Sequence, residues 1–252
     1  MDVMDVILIP GFWLNAALWG DITPTLEAAG HRVHPLTLPG LASVNDDRGG
    51  IGLADHVAAV VAAIDGIDGP VALVGHSGGG AIAHGAVDAR PERVDRVVYV
   101  DSLPLAEGTA INDQLPVVDG EIPLPDWSFF EDADLVGLDD ELRARFRAVA
   151  VPEPAGVAYD PLVLRDSRRY DVPITVITCE YPAEQLRAMM AQSHPYLAEL
   201  AKVHSAELVD LPTGHWPQFT KPAELAKAIV EALASPRRST REASAGPPQP
   251  DR

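Results

Sequence analysis

The sequence has little cysteine, few aromatic residues and no long hydrophobic run. The single cysteine, Cys179, excludes an intrachain disulfide and a cysteine-rich metal site. The first apolar run, residues 6–9, is too short for an export signal or a membrane span, and acidic residues precede it where a signal peptide would be basic. We therefore expect a cytoplasmic protein with no membrane partner. Aromatic residues make up only 6% of the chain, so Val, Ala, Leu and Ile must supply most of the core.

Positive charge is also scarce. The 19 Lys and Arg residues face 37 Asp and Glu residues, which gives a formal net charge of −18. Such a chain repels phosphates, so nucleic acid is not expected as a partner. An acidic surface favours solubility, and it also favours neutral or cationic substrates. We expect a small-molecule substrate and a monomer or homodimer.

Short apolar runs alternate with segments of helical spacing. The predicted strands are residues 6–9, 32–38, 71–74, 94–100 and 174–178, with a less apolar edge strand at 206–211. The predicted helices are residues 18–29, 53–64, 78–89 and 223–234. This alternation predicts an α/β fold, with a mostly parallel sheet of about six strands and helices on both faces.

Residues 104–171 interrupt the alternation. They are rich in proline, acidic residues and aromatics, and they contain one predicted helix, at 139–149. Because a loop of this length inside a compact domain is usually functional, we interpret it as a small cap inserted into a core formed by residues 1–103 and 172–234. Residues 235–252 have no apolar residues beyond alanine and proline, which predicts a disordered tail.

Ser77 is the predicted nucleophile. It lies in a G-x-S-x-G pattern between the predicted strand 71–74 and the predicted helix 78–89. A serine on a sharp strand-to-helix turn needs strained backbone angles, and side chains two residues before and after it would collide. Gly75 and Gly79 remove those side chains. The start of the helix also directs backbone N–H groups toward the reacting centre.

Serine is a poor nucleophile without a neighbouring base, and eight histidines could supply one. His215 follows the last predicted strand in the stretch LPTGHWP, where a loop at the carboxyl edge of the sheet can reach Ser77. His76 adjoins the serine but should point away from it. His84 lies two turns into the following helix, too far back. We therefore predict His215 as the general base.

These motifs together resemble the α/β-hydrolase family. The resemblance rests on GHSGG after a strand, on a Gly-His loop that runs into KPAEL and a last helix, and on PGFW after the first strand. It spans about residues 5–234 and is closest to compact members such as hydroxynitrile lyases and plant methyl esterases. It implies that the N–H groups of Phe12 and Gly78 bind the oxyanion, and that no metal or organic cofactor is used.

The acid departs from the pattern usual in that family. The strand 174–178 is usually followed by Gly-Glu-x-Asp, whereas this chain continues Cys-Glu-Tyr-Pro. Glu180 is the carboxylate nearest to the expected position. Asp101 directly follows the apolar strand 94–100, and some haloalkane dehalogenases and lipases carry their acid after that strand. A carboxylate placed there needs a buried partner such as a histidine N–H, so we prefer Asp101 and keep Glu180 as the alternative.

The predicted function is hydrolysis of a small ester or lactone through a Ser-His-Asp triad and an acyl-enzyme intermediate. The expected substrate-binding residues are aromatic and surround the triad: Trp13, His76, Trp127, Phe130 and Trp216. Two other readings remain open. One is a lyase of the hydroxynitrile-lyase kind, which generally adds a lysine near the pocket. The other is a ligand-binding protein that has lost turnover.

Overall fold

The computed structural model describes residues 3–235, and the predicted tail beyond Ser235 lies outside the described residues. Six parallel strands form one sheet, and a two-stranded antiparallel ribbon lies apart from it. The strands are β1 (Asp5–Ile9), β2 (Arg32–Pro35), β3 (Val71–His76), β4 (Val94–Val100), β5 (Glu121–Ile122), β6 (Glu153–Pro154), β7 (Ile174–Thr178) and β8 (Ala206–Asp210). The sheet order is β2-β1-β3-β4-β7-β8, so the predicted α/β fold and the edge position of the last strand are confirmed.

Eight α-helices and several short 3-10 helices connect these strands within residues 3–235. The α-helices are α1 (Thr23–Ala28), α2 (Leu53–Asp65), α3 (Gly78–Ala89), α4 (Asp140–Val149), α5 (Ala155–Tyr159), α6 (Ala183–Ala191), α7 (Pro217–Thr220) and α8 (Pro222–Ala234). The 3-10 helices are Ala16–Trp19, Trp127–Phe129, Ser167–Asp171, Pro195–Leu197 and Leu200–Lys202. Among the helices of this described part of the chain, none is both long and apolar enough to cross a membrane.

The two faces of the sheet carry two hydrophobic clusters, because successive side chains of a strand point to opposite faces. Ile7 and Ile9 of β1 face the cluster that α2 and α3 cover. Val6 and Leu8 face the other cluster, which α1 and α8 cover. The central strands β1 and β3 are fully buried, which explains why they read as continuous apolar runs.

Residues 104–171 enter between β4 and β7 and contain the ribbon β5–β6 together with α4 and α5. The predicted helix at 139–149 is confirmed as α4. Buried side chains of this inserted segment, among them Ile122, Phe146 and Val157, belong to the same cluster as Ile7 and Ile9. The segment therefore extends the core of one sheet face.

The sequence prediction is wrong in detail at the first helix and the second strand. Residues 18–29 form a 3-10 turn followed by the six-residue α1, with Pro24 near the helix start. The second strand ends at Pro35, and the N–H of Leu36 still donates to the carbonyl of Leu8 on β1 at 2.9 Å. Helix α6 was not predicted. Its sequence mixes apolar and charged residues, and only Ala183 and Leu186 are buried.

Candidate active site

Ser77 occupies the turn between β3 and α3 with a φ of 52° and a ψ of −126°, a backbone conformation that L-residues rarely adopt. The two glycines of the motif make this turn possible. A Cβ added to Gly75 would lie 2.5 Å from the carbonyl oxygen of Gly79, and one added to Gly79 would lie 2.4 Å from that of Pro10. The hydroxyl of Ser77 therefore lies at the carboxyl edge of the sheet, as predicted from the sequence.

His215 reaches Ser77 from the loop after β8. Its Nε2 lies 2.7 Å from Ser77 Oγ, which is hydrogen-bonding distance. Backbone contacts fix the loop: His215 N–H donates to the carbonyl of Asp134 at 2.8 Å, and Gly214 N–H donates to that of Val136 at 2.9 Å. Both acceptors belong to the inserted segment, so this segment holds the histidine loop in place.

Two carboxylates face the other ring nitrogen of His215. Asp101 Oδ2 lies 2.7 Å from Nδ1, and Glu180 Oε1 lies 3.1 Å from it. Asp101 has a positive φ of 43° and follows β4 directly. Its Oδ1 accepts the N–H of Cys179 at 2.9 Å, so both of its oxygens have partners. The geometry favours Asp101 as the partner of His215, and it also brings Glu180 closer than the sequence suggested.

Burial and mutual contact shift the pKa values of all three groups. Burial alone would lower the pKa of His215, but its contacts with Asp101 and Glu180 outweigh burial and hold this pKa above its ordinary value. Burial raises the pKa of Asp101, but the hydrogen bond from His215, the charge of His215 and the N–H of Cys179 together outweigh burial, so that the pKa lies below its ordinary value. Burial raises the pKa of Glu180 to about 7. Because the three groups interact, protonation of one of them changes the pKa values of the other two.

The loop after β1 packs directly on the turn that carries Ser77. A Cβ added to Gly78 would lie 2.6 Å from the ring of Phe12, so only glycine permits this approach. Phe12, Gly78 and Ser77 all line one cavity. The loop that carries Phe12 and the first turn of α3 therefore meet at the cavity wall beside Ser77.

The cavity has a volume of about 620 Å³ and lies above Ser77 and His215. Three of the predicted substrate-binding residues line it: Trp13, Phe130 and Trp216. Phe130 packs edge-on against both tryptophans, with ring centroids 5.9 Å and 5.2 Å apart. The wall also carries five carboxyl side chains and, within residues 3–235, no lysine or arginine. The acidic residues are Asp101, Glu131, Asp134, Glu180 and Glu199.

His76 and Trp127, the other two predicted substrate-binding residues, do not line this cavity. His76 is fully buried, and its Nε2 donates to the carbonyl oxygen of His215 at 2.7 Å. Burial lowers the pKa of His76 to about 3, so the ring stays neutral. Trp127 packs behind the wall on Phe146 and Trp216, with Arg147 over its ring. Both residues contact the site from behind the cavity wall, His76 through the His215 carbonyl and Trp127 through the ring of Trp216.

The sequence analysis missed several contributors. The carbonyl groups of Asp134 and Val136 hold the histidine loop, and Glu199 lines the cavity while it accepts from Arg169 at 3.1 Å. These residues lie far along the chain from Ser77, and no short motif marks them. Lys202, which the lyase reading would consider, bonds Glu199 at 2.9 Å and does not line the cavity.

Asp101, Glu180 and His215 also offer three possible metal-ligand atoms within 4.8 Å of one another. The same atoms serve acid–base chemistry, because one nitrogen of His215 faces Ser77 and the other faces the carboxylates. A serine, an imidazole and a carboxylate in this linear order can activate a hydroxyl for attack.

A family model described as the alpha/beta hydrolase family matches residues 6–228. The chain belongs to this family. It is 32% identical to lipase LipV of Mycobacterium tuberculosis over 207 residues, which are 72% of this chain and 76% of that protein. It is 28% identical to a pyrethroid hydrolase of Sphingobium wenxiniae over 99% of this chain and 95% of that protein. The expectation of a hydrolase agrees with both names.

A solved alpha/beta hydrolase has the same fold as this family member. It is an extracellular alpha/beta-hydrolase of a Paenibacillus species, described as sharing structural and functional homology with tobacco salicylic acid binding protein 2. It superposes with a TM-score of 0.72 at 22% identity, and the match covers 91% of this chain and 98% of that one. At this identity the similarity shows the common fold.

Proposed function

We propose that this α/β hydrolase cleaves carboxylic esters, lactones included, with Ser77 as nucleophile, His215 as general base and Asp101 as the acid that orients it. The observation that carries the proposal is the pair of 2.7 Å contacts from Ser77 Oγ to His215 Nε2 and from His215 Nδ1 to Asp101 Oδ2. The names of the curated relatives support the reaction class.

The mechanism follows from these contacts. His215 Nε2 takes the hydroxyl proton while Ser77 Oγ bonds to the carbonyl carbon of the ester. The N–H groups of Phe12 and Gly78 stabilise the resulting oxyanion, and His215 then gives the proton to the leaving alcohol. Water attacks the acyl-enzyme with His215 again as base. This releases the acid and restores the Ser77 hydroxyl.

The cavity wall supports an uncharged substrate of moderate size. Its volume of about 620 Å³ lies within the usual range for small-molecule sites. Trp13, Phe130 and Trp216 offer aromatic surface to an acyl or alcohol group. Because the wall carries carboxyl groups without cations among the described residues, it disfavours esters that bear a negative charge. The same charge favours departure of a carboxylate product.

A fluorophosphonate probe tests the proposal, because it reacts covalently with an activated serine. The wild type should be labelled and should hydrolyse p-nitrophenyl butyrate. Ser77→Ala should not be labelled, and its kcat should fall about 10⁶-fold. Ser128→Ala removes an exposed hydroxyl of the inserted segment and serves as the matched control, with labelling unchanged. A wild type that neither labels nor turns over esters and lactones would return the chain to the lyase or binding alternatives.

A further inference from the structure

Trp13, the residue after Phe12, is held by the inserted segment at three points. Its backbone N–H donates to Glu153 Oε2 at 3.2 Å, and its indole N–H donates to the carbonyl oxygen of Ile122 at 3.0 Å. Its own carbonyl accepts the N–H of Val151 at 2.8 Å. Trp13 also has a positive φ of 65°, so the chain must be held at this turn against its conformational preference.

Glu153 is the only one of these three partners that contributes an ionisable side chain. It lies on β6 and is 1% exposed, beside the fully buried His56. Glu153 Oε1 and His56 Nδ1 are 3.8 Å apart, and His56 Nε2 donates to the carbonyl of Pro39 at 2.9 Å. With that proton on Nε2, Nδ1 is left as an acceptor that faces the carboxyl group and has no other partner.

We propose that Glu153 is a positioning residue, which fixes the oxyanion-binding loop through the N–H of Trp13. The proposal rests on the proposed function, because it assigns the adjoining N–H of Phe12 to the oxyanion. The peptide planes on either side of Phe12 share its Cα. An anchor on Trp13 N–H fixes the plane on one side of this Cα, so only φ and ψ of Phe12 are left to move the plane that carries Phe12 N–H.

The surroundings of Glu153 favour the uncharged form of its carboxyl group. Arg48 is the nearby cation, but its Nε is bonded to the carbonyl of Pro152 at 2.8 Å and its guanidinium also pairs with Glu121 at 3.2 Å. Burial raises the pKa of Glu153 to about 8, although the Trp13 N–H and the charge of Arg48 oppose the shift. Burial also lowers the pKa of His56, so this neighbour supplies no compensating charge. A neutral carboxyl still accepts the N–H of Trp13 and can donate its proton toward His56.

Ionised Glu153 would place a negative charge one residue from the oxyanion site. That charge would oppose the negative charge that develops on the substrate oxygen. In the wild type, the rate of acylation should therefore fall as the pH rises through about 8. Glu153→Gln keeps an oxygen acceptor and an N–H donor but cannot ionise, so it should keep the rate of the wild type at pH 7 and lose this decline.

The test compares Glu153→Gln with Glu153→Leu by two measurements. Hydrogen exchange of a peptide covering residues 10–16, followed by mass spectrometry, reports whether the loop is held. The rate of fluorophosphonate labelling reports whether it is held in a productive position. We expect Glu153→Gln to match the wild type in both at pH 7. Glu153→Leu should lose exchange protection in this peptide and label about 10²-fold more slowly.

Glu121→Gln is the matched control, because it changes a carboxyl group on the same ribbon that touches Arg48 rather than Trp13. The proposal is overturned if folded Glu153→Leu exchanges and labels like the wild type, or if Glu153→Gln is as impaired as Glu153→Leu. If Glu153→Leu does not fold, the pH profiles of the wild type and Glu153→Gln decide, and identical profiles overturn it. A wild type that fails to label contradicts the proposed function alone, since the exchange measurement still tests the anchor.

Discussion

The carboxyl edge of the sheet and the inserted segment contribute to the site in different ways. The edge presents Ser77 after β3, Asp101 after β4 and His215 after β8, each at the end of a strand paired with its neighbours over several residues. The segment 104–171 supplies short elements and several exposed apolar side chains, Phe129 and Val136 among them. The segment forms part of the cavity wall, and its backbone and side chains hold the loops that carry His215 and Trp13. The difference suggests that changes at the edge should affect the chemical step, whereas changes in the segment should affect substrate preference and loop position.

After Ser77→Ala, the largest expected loss of kcat distinguishes the roles of the two carboxylates, Asp101 and Glu180, at the edge of the sheet. Asp101→Asn keeps the shape of the side chain but removes the charge that stabilises the His215 imidazolium, so kcat should fall about 10⁴-fold. Asp119→Asn is the matched control, because Asp119 also has a positive φ, is exposed and lies in the inserted segment. Steady-state hydrolysis of p-nitrophenyl butyrate measures both. If Glu180→Gln abolishes turnover while Asp101→Asn retains it, the assignment of the acid is reversed.

This division also describes what could be predicted from the sequence. His215 follows the partly exposed edge strand β8 and was predicted from the Gly-His loop after that last strand. Ser77 follows β3, whose apolar run is unbroken because both faces of the strand are buried. Asp101 was found for the same reason, since a carboxylate directly after such a run needs a partner. The local pattern thus predicted the fold and the three residues that the structure brings into contact.

The inserted segment resisted prediction because its structure depends on contacts with distant residues. Strands of two residues, such as β5 and β6, leave no periodic pattern. Trp127 was assigned to the cavity from its residue type alone, although cation and aromatic contacts hold it behind the wall. The ring of His76 points away from Ser77, as the sequence predicted, and it contacts the His215 carbonyl rather than the cavity. The contact between Glu153 and Trp13 could not be predicted from the sequence, because the two residues are 140 positions apart.

Phe130 tests whether the segment governs substrate binding. Phe130→Ala removes a ring that packs on Trp13 and Trp216 and lines the cavity, so KM for bulky aromatic esters should rise roughly 10- to 50-fold. The kcat should change little, because no reacting atom touches this ring. The matched comparison is p-nitrophenyl acetate on the same variant, whose small acyl group should show a much smaller change. An equal loss for both esters would place Phe130 in the chemical step.

The effect of the acidic cavity wall on substrate preference can be tested by changing the charge of the substrate. A dimethyl dicarboxylate ester and its monomethyl anion differ by one charge at similar size. The neutral ester should have a kcat/KM at least about tenfold higher, with a gap that narrows as salt increases. Glu131→Gln, in the segment, should reduce the gap without lowering the rate for the neutral ester. Equal rates for the two esters at low salt would show that the wall does not select charge.

The smallest expected effect concerns Glu180, which faces His215 Nδ1 at 3.1 Å beside Asp101. Contact with this carboxyl helps to raise the pKa of His215, and catalysis needs His215 unprotonated. Glu180→Gln should therefore lower that pKa, so that the acid limb of the kcat/KM profile moves to lower pH by on the order of one unit. The plateau rate should stay within about threefold. Glu184→Gln, on α6 and remote from His215, is the matched control. A limb that stays in place, or moves to higher pH, would show that Glu180 does not act on the base.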